Sequence, residues 1–179
     1  MRSMVFDTET TNLIQASEID DIFQPAITEF YANVIDENGE VVDELEFMCN
    51  PMKPIDRKAS EITGLTNEML KSLPPFSHFE ESVRNLLEKS DELVAHNLKF
   101  DIGMLNLEFR RCKKIDIVKW PELLICTVEQ TEWIMGHRLK EGDLYEYLFN
   151  ERFVGAHRAK ADVKALTKCF IELRNREFI

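Results

Sequence analysis

The sequence lacks the marks of membrane, secreted and zinc-binding proteins. No stretch approaches the ~18–20 consecutive apolar residues that a membrane-spanning helix needs, and the N-terminus has no basic segment followed by an apolar one. The four cysteines lie far apart without a Cys-x-x-Cys pair, which favours reduced structural thiols over a metal or redox site. We therefore expect a cytoplasmic protein that makes no membrane contact.

Basic charge is also scarce, because the formal net charge is −11. Proteins that hold nucleic acid over a broad surface do so mainly by neutralising phosphates with Lys and Arg. The charge argues against that class of protein. Any contact with nucleic acid must be local, at a place where basic residues gather or bound cations offset carboxylates.

The 179 residues, 44% of them hydrophobic, suit a single domain over 1–179, and no repeat or linker interrupts them. Apolar segments at 26–35 and 41–48 flank the turn-forming Asn38-Gly39 pair and, with segment 4–6, predict three antiparallel strands, the first of them central. Later strands are expected at 92–95 and 123–126, and helices near 79–87, 100–111, 128–135, 143–149 and 158–174. This order favours an α/β or α+β fold with a mixed five-stranded sheet.

Acidic residues stand close to the ends of these elements. Asp7 and Glu9 are two residues apart, so on a strand their side chains share one face, whereas in a loop they would be ordinary exposed acids. Asp101 follows the fourth strand and suits either a functional position or a helix cap. His157 and Asp162, five residues apart, could reach the same cleft from one helix, or the histidine could have no chemical task.

Four segments, in their order along the chain, resemble the motifs of one family. They are Phe6-Asp7-Thr8-Glu9-Thr10-Thr11, Ile62-Thr63-Gly64-Leu65, His96-Asn97-Leu98-Lys99-Phe100-Asp101 and His157-Arg158-Ala159-Lys160-Ala161-Asp162. Over nearly the whole chain the sequence is similar to the DEDDh (DnaQ-like) 3′-to-5′ exonucleases, which include the epsilon proofreading subunits of bacterial replicative polymerases. The resemblance implies an RNase H-like exonuclease fold, with three antiparallel strands followed by two parallel ones and helices on the flanks.

The sequence departs from the family at Asn12, in the unusually acidic segment between Asn12 and Pro25, and at its C-terminal end. Asn12 stands where family members usually have glycine, which affects the turn after the first motif. The epsilon subunits carry a tail that binds polymerase, whereas this sequence ends soon after its last predicted helix. Attachment to a polymerase is therefore unsupported by the sequence.

The resemblance also implies the chemistry of the site. Two divalent cations are expected on Asp7, Glu9, Asp101 and Asp162, and the oxygen-only ligand set favours Mg²⁺ or Mn²⁺ over zinc. The cations would clamp the scissile phosphate, and His157 would be the general base in hydrolysis to nucleoside 5′-monophosphates. The pocket for the terminal nucleotide is expected to contain Thr8, Ile62, Thr63, Gly64 and Phe100, although Ile62 and Phe100 could instead be core residues.

The expected substrate is the 3′ end of single-stranded nucleic acid. DNA is favoured over RNA because the first motif and Ile62-Thr63-Gly64 match proofreading members. An exonuclease that trims RNA ends or degrades short oligoribonucleotides is the alternative, since the choice depends on the fit around the 2′ hydroxyl. A non-catalytic domain that binds nucleic acid or protein would suit the acidic segment Glu18-Ile19-Asp20-Asp21, but the complete set of four acids and one histidine favours the enzyme.

Overall fold

The computed structural model describes residues 1–16, 22–153 and 157–179. Within these residues the strands are β1 (Ser3–Thr10), β2 (Ile27–Ile35), β3 (Val41–Met48), β4 (Glu92–Ala95) and β5 (Leu123–Cys126). The α-helices are α1 (Arg57–Thr63), α2 (Asn67–Leu70), α3 (Glu80–Glu88), α4 (Leu98–Arg111), α5 (Thr127–Met135), α6 (Glu141–Phe149) and α7 (Ala159–Asn175), and short 3-10 helices lie at Phe76–His78 and Ile115–Ile117. The acidic segment Glu18-Ile19-Asp20-Asp21 lies outside the described residues.

The strands form one sheet in the order β3-β2-β1-β4-β5. The β1–β2 and β2–β3 pairs are antiparallel, whereas β4 pairs in parallel with both β1 and β5. The turn between β2 and β3 contains Gly39 at φ +82°, a left-handed conformation that glycine adopts without strain. The predicted mixed sheet, with its first strand at the centre, is confirmed.

Helices cover both faces of the sheet because the strands direct alternate side chains to opposite sides. Phe6 of β1 and Phe30 of β2 pack with residues of α3 and α4 on one face. Val5 and Tyr31 pack with residues of α7 on the other face. Burying each such side chain contributes about 1.5–3 kcal/mol, so the two layers hold β1 firmly between them. By the same alternation, residues 7 and 9 face α7 and residue 8 faces α4.

Most predicted helices and strands end within one or two residues of the observed bounds. The main exception is β1, which continues beyond the predicted segment 4–6 to Thr10 and so carries Asp7 and Glu9 within the strand. None of the helices in the described ranges is long and apolar enough to cross a membrane. A cytoplasmic location and a single domain over 1–179 stay predictions.

Candidate active site

The central strand brings two carboxylates to the face of the sheet that α7 covers. Asp7 and Glu9 are half-buried and alternate with the buried Thr8 and Thr10, so the two acids point to the same side. The alternative of an exposed acidic loop is wrong, because both acids belong to a regular strand in the middle of the sheet. Their position is therefore set by the register of the sheet.

Helix α7 adds a third carboxylate from the other end of the chain. Asp162 lies in the first turn of the helix and is only 8% exposed. One oxygen atom from each of Asp7, Glu9 and Asp162 lies within 4.8 Å of the other two. Val163 packs against Val5 in the layer between α7 and the sheet, which holds this turn of the helix over β1. The fold thus joins the first and third motifs in one small volume.

Burial and mutual repulsion raise the pKa values in this group. Burial, followed by the charge of Asp162, raises the pKa of Asp7 to about 7. Burial, followed by the charge of Asp7, raises the pKa of Glu9 to about 8, and burial also raises the pKa of Asp162. A divalent cation between the oxygens would turn this repulsion into attraction, so the donor set fits a hard cation such as Mg²⁺ or Mn²⁺.

Asp101 approaches from the opposite face of the sheet, on the first turn of α4. It is 2% exposed, and its Oδ1 accepts hydrogen bonds from the backbone amide of Thr8 at 3.1 Å and from the Thr8 hydroxyl at 2.7 Å. Burial, followed by the charge of Asp7, raises the pKa of Asp101 well above its usual range. Asp101 is not the cap of α4, since that position belongs to Asn97. Of the four predicted ligands, the structure gathers three tightly and places Asp101 beside them.

A fifth acid, Glu141, was missed by the sequence reasoning. It is the first residue of α6, and its Oε1 is buried without a hydrogen-bond partner in the part of the chain that the structure describes. Burial, followed by the charges of Asp162 and Asp7, raises the pKa of Glu141 to about 9. The sequence carries no motif around residue 141, and only the packing of α6 against α7 brings this side chain towards the site.

His157 is connected to the carboxylate group through its backbone. Its amide donates a hydrogen bond to Asp162 Oδ2 at 2.9 Å. The residue is exposed and adopts φ +72°, a conformation that non-glycine residues adopt rarely and usually where the surrounding structure enforces it. The preceding residues Gly155 and Ala156 lie outside the described ranges.

The histidine of the second motif, His96, is hydrogen-bonded within the protein through both ring nitrogens. His96 Nε2 lies 3.1 Å from the carbonyl oxygen of Leu139, and Nδ1 lies 2.9 Å from the hydroxyl of Thr127. A carbonyl can only accept, so Nε2 carries the proton and Nδ1 accepts from the threonine. Burial lowers the pKa of His96 to about 4, which agrees with a neutral ring. His96 therefore ties β4 to the segment before α6.

The residues expected to contact the terminal nucleotide lie in different settings. Ile62 is 52% exposed, so the alternative that it is a core residue is wrong. Gly64 ends α1 at φ +73° with open space around it, and the buried Thr63 hydroxyl accepts from the Leu65 amide at 3.1 Å. Phe100 is half-buried against the main core, as the core alternative expected. Contact of these residues and of Thr8 with a nucleotide stays a prediction.

The turn after the first motif forms without glycine. Asn12 has no left-handed backbone conformation, so the asparagine causes no strain there. Its carbonyl accepts from the Thr10 hydroxyl at 2.8 Å, and its side chain accepts from the amide of Leu13 at 2.8 Å. The departure from the family pattern is accommodated by these local hydrogen bonds.

Comparisons with known proteins give a consistent result. A family model described as RNase_T, Exonuclease, matches residues 4–170. The chain is 29% identical over 174 residues to "DNA polymerase III PolC-type" from Bacillus subtilis, with 95% of this chain covered, and 30% identical over 179 residues to "3'-5' exonuclease DinG" from the same organism, with 96% covered. Among solved structures, the zinc-bound complex of Escherichia coli ExoI with single-stranded DNA superposes with a TM-score of 0.78 at 17% identity, covering 98% of this chain and 41% of that one.

These relatives are much longer than the present chain. It spans 11% of the PolC-type polymerase and 17% of DinG. The ExoI likeness is too distant in sequence to carry more than the fold, and it confirms the RNase H-like arrangement expected from the motifs. What the similarity establishes is therefore the exonuclease domain and its architecture.

Proposed function

Since the chain belongs to the RNase_T exonuclease family, one of the DEDD exonucleases, we propose that it removes nucleotides one at a time from the 3′ end of single-stranded DNA. The products would be nucleoside 5′-monophosphates. The observation that carries this proposal is the convergence of Asp7, Glu9 and Asp162 within 4.8 Å of one another, with Asp101 adjacent through Thr8. Buried acids in such proximity are costly unless a cation joins them.

The four acids would divide the work of holding two cations, Mg²⁺ or Mn²⁺. Asp7, Glu9 and Asp162 form the close group, and Asp101 is held in place by the amide and hydroxyl of Thr8. When bound, the cations would supply Lewis-acid stabilisation of the attacked phosphate. The oxygen-only donor set supports these hard ions over zinc.

His157 is the proposed general base. In the reaction, a water oxygen bonds to phosphorus, the bond from phosphorus to the departing 3′ oxygen breaks, and the water proton passes to the imidazole. The departing oxygen then takes a proton from solvent. The hydrogen bond from the His157 amide to Asp162 supports this role, because it ties the residue to the carboxylate group.

The substrate end would lie between the first motif and the end of α1. Ile62 is exposed there and offers an apolar surface on which any base can stack, and the open space around Gly64 leaves room for the sugar. Beyond Thr11 and Asn12, a surface groove contains the exposed Phe23 with Lys53 and Arg57. This groove offers a local contact for the part of the nucleic-acid strand that precedes its 3′ end. The contact has to be local because the net charge of −11 argues against binding over a broad basic surface.

The choice of DNA rests on the proteins to which this chain is similar. One is a DNA polymerase, and the ExoI structure contains single-stranded DNA. Matched DNA and RNA oligomers, labelled at the 5′ or the 3′ end and incubated with Mg²⁺, test the substrate and the direction together. Immediate release of the 3′ label as a 5′-mononucleotide, with a ladder of shortened 5′-labelled DNA, is the expected result.

Two other results would redirect the proposal. Faster shortening of the RNA oligomer would assign the chain to RNA trimming or oligoribonucleotide degradation. Binding without release of nucleotides, by wild-type protein that has been loaded with Mn²⁺, would favour the non-catalytic alternative. The Asp7→Asn variant serves as the control for contaminating nucleases.

A further inference from the structure

A buried glutamate lies next to the carboxylate group but outside the family motifs. Glu29 stands directly opposite Glu9 in the β1–β2 pair, within a strand whose residues are all buried. Only 3% of its side chain is exposed. Because directly opposed residues of a strand pair share one face, Glu29 adds negative charge to the α7 side of the sheet.

Arg158 holds both oxygens of this glutamate. Its Nε donates to Oε2 at 2.9 Å and its Nη2 donates to Oε1 at 2.9 Å, a two-pronged pairing that fixes the direction of the guanidinium group. Arg158 also stands between His157 and the start of α7. Its carbonyl accepts from the amides of Ala161 at 2.8 Å and Asp162 at 3.0 Å. The residue is thus fixed by its side chain to β2 and by its backbone to α7.

We propose that Glu29 and Arg158 are positioning residues that hold His157 and Asp162 in register with Glu9. The inference rests on the proposed exonuclease function. The ion pair anchors residue 158 to the sheet at the level of Glu9, and the neighbouring His157 amide then reaches Asp162 at 2.9 Å. A buried ion pair need not stabilise a fold in net terms, so its placement beside the site is what gives it a task.

The molecule contains a matched control at the other end of the same helix. Arg174 of α7 pairs with Glu92 of β4 at 2.7 Å, and 34% and 0% of these side chains are exposed. Glu92 also accepts from the Ser3 hydroxyl at the start of β1, distant from Asp7 along the strand. In both pairs an arginine at one end of α7 binds a buried glutamate of a strand. Of the two, the Glu29–Arg158 pair borders the site and the Glu92–Arg174 pair does not.

The experiment compares Arg158→Gln, the double variant Glu29→Gln/Arg158→Gln, and Glu92→Gln/Arg174→Gln. Arg158→Gln alone leaves a buried charge, so the double variant keeps the test valid if the single one folds poorly. We expect the Glu29/Arg158 double variant to regain most of the melting temperature while its kcat stays about 10- to 100-fold below wild type, because the base is misplaced. We expect Glu92→Gln/Arg174→Gln to keep kcat within about twofold of wild type.

Hydrogen exchange at the His157 amide gives a second readout that needs no activity. We expect this amide to lose protection in the Glu29/Arg158 double variant and to keep it in the Glu92/Arg174 double variant. Recovery of wild-type kcat together with melting temperature, or retained protection of the His157 amide, would overturn the positioning role. If the wild-type protein itself releases no nucleotide, the proposed function fails, and the amide protection still decides whether the pair positions His157.

Discussion

Buried carboxylates occur in two settings in this molecule, and they differ in the charge that faces them. In the first setting each acid has an arginine, since Glu92 pairs with Arg174 at 2.7 Å and Glu108 pairs with Arg111 at 2.9 Å. In the second setting the acids face one another, as in the group formed by Asp7, Glu9 and Asp162. Both settings occur on the strands of the same sheet and on the helices that pack against it.

The difference separates stability from function. An acid with its own arginine completes its hydrogen bonds and charge within the protein, so it contributes to the folded structure. Acids that repel one another carry an electrostatic cost that is removed either by protonation or by a bound cation. Substitution in the first setting should therefore change stability, with Glu29 and Arg158 as the proposed exception because that pair borders the site. Substitution in the second setting should change metal binding and turnover.

The largest expected effect comes from Asp7→Asn. Replacing one of three converging carboxylates should reduce nucleotide release by about 1,000-fold or more, while the metal-free protein keeps or slightly gains stability because repulsion is reduced. Turnover is measured with a labelled oligomer and stability by urea unfolding in EDTA. Glu92→Gln is the contrast, with about 1–3 kcal/mol less stability and nearly normal turnover of the folded protein. Wild-type-like turnover of Asp7→Asn would remove the distinction between the two settings.

His157→Ala should lower kcat by about 100-fold and change the Mn²⁺ affinity much less. A general base contributes through proton transfer in the transition state and not by holding the cation. The exposed His137 provides the control, and His137→Ala should leave both quantities unchanged. Steady-state kinetics with calorimetric titration of Mn²⁺ measure the two effects. Equal losses of kcat and affinity would identify His157 as a structural residue.

Mn²⁺ should stabilise the folded protein by binding to Asp7, Glu9 and Asp162, and not by binding to the acids that pair with arginine. At an ion concentration 100 times the dissociation constant, binding adds about 2.7 kcal/mol, which raises the melting temperature of a protein of this size by roughly 5–10 °C. The shift should nearly disappear in Asp162→Asn and persist in Glu92→Gln. A melting curve that does not respond to Mn²⁺ would count against metal binding by these acids.

The pH dependence of the metal-free protein should have an unusual sign. Burial and repulsion raise the folded-state pKa of Asp7 to about 7 and that of Glu9 to about 8, above the ordinary values of 3.8 and 4.5. The folded protein then binds more protons than the unfolded chain between about pH 4 and 8, so stability is lost as the pH rises through that window. Urea unfolding in EDTA should show a loss on the order of 5 kcal/mol between pH 5.5 and 8.5, of which Asp7 contributes about 2 kcal/mol and Glu9 about 3 kcal/mol.

Two controls sharpen the pH measurement. Glu9→Gln should flatten the profile, because one of the two titrating acids is removed. In saturating Mn²⁺ the trend should reverse, since protons compete with the cation for the same oxygens. A metal-free profile that rises steadily from pH 5.5 to 8.5 would show that these acids are not repelling one another.

The sequence predicted the features that follow from patterns among neighbouring residues. It did not predict the features that depend on how distant elements pack together. Alternation along a strand placed Asp7 and Glu9 on one face, and the Asn38-Gly39 turn predicted the hairpin. Motif order gave the exonuclease fold without any coordinates. By contrast, no local pattern links Glu141 to residues of β1, and its approach depends on how α6 packs against α7.

The pairing of Glu29 with Arg158 corresponds to a partial signal in the sequence. A charged residue inside the otherwise buried β2 must have a partner, because an isolated buried charge is too costly. The sequence indicates that such a partner exists but does not identify it, since 129 positions separate the two residues. His96 shows the reverse case, because a motif residue that could suggest chemistry serves to connect structural elements.

The alternation of β1 also limits how this gene segment can change in length. Successive residues of the strand serve opposite layers, with Asp7 and Glu9 towards α7 and Thr8 towards Asp101. Inserting or deleting a single codon between residues 4 and 7 would exchange these assignments, placing acids in an apolar layer and a threonine among the acids. Replacing a residue of β1 leaves the facing of the other residues unchanged, whereas an insertion or deletion does not. Insertions and deletions should therefore be confined to the loops on either side of the strand.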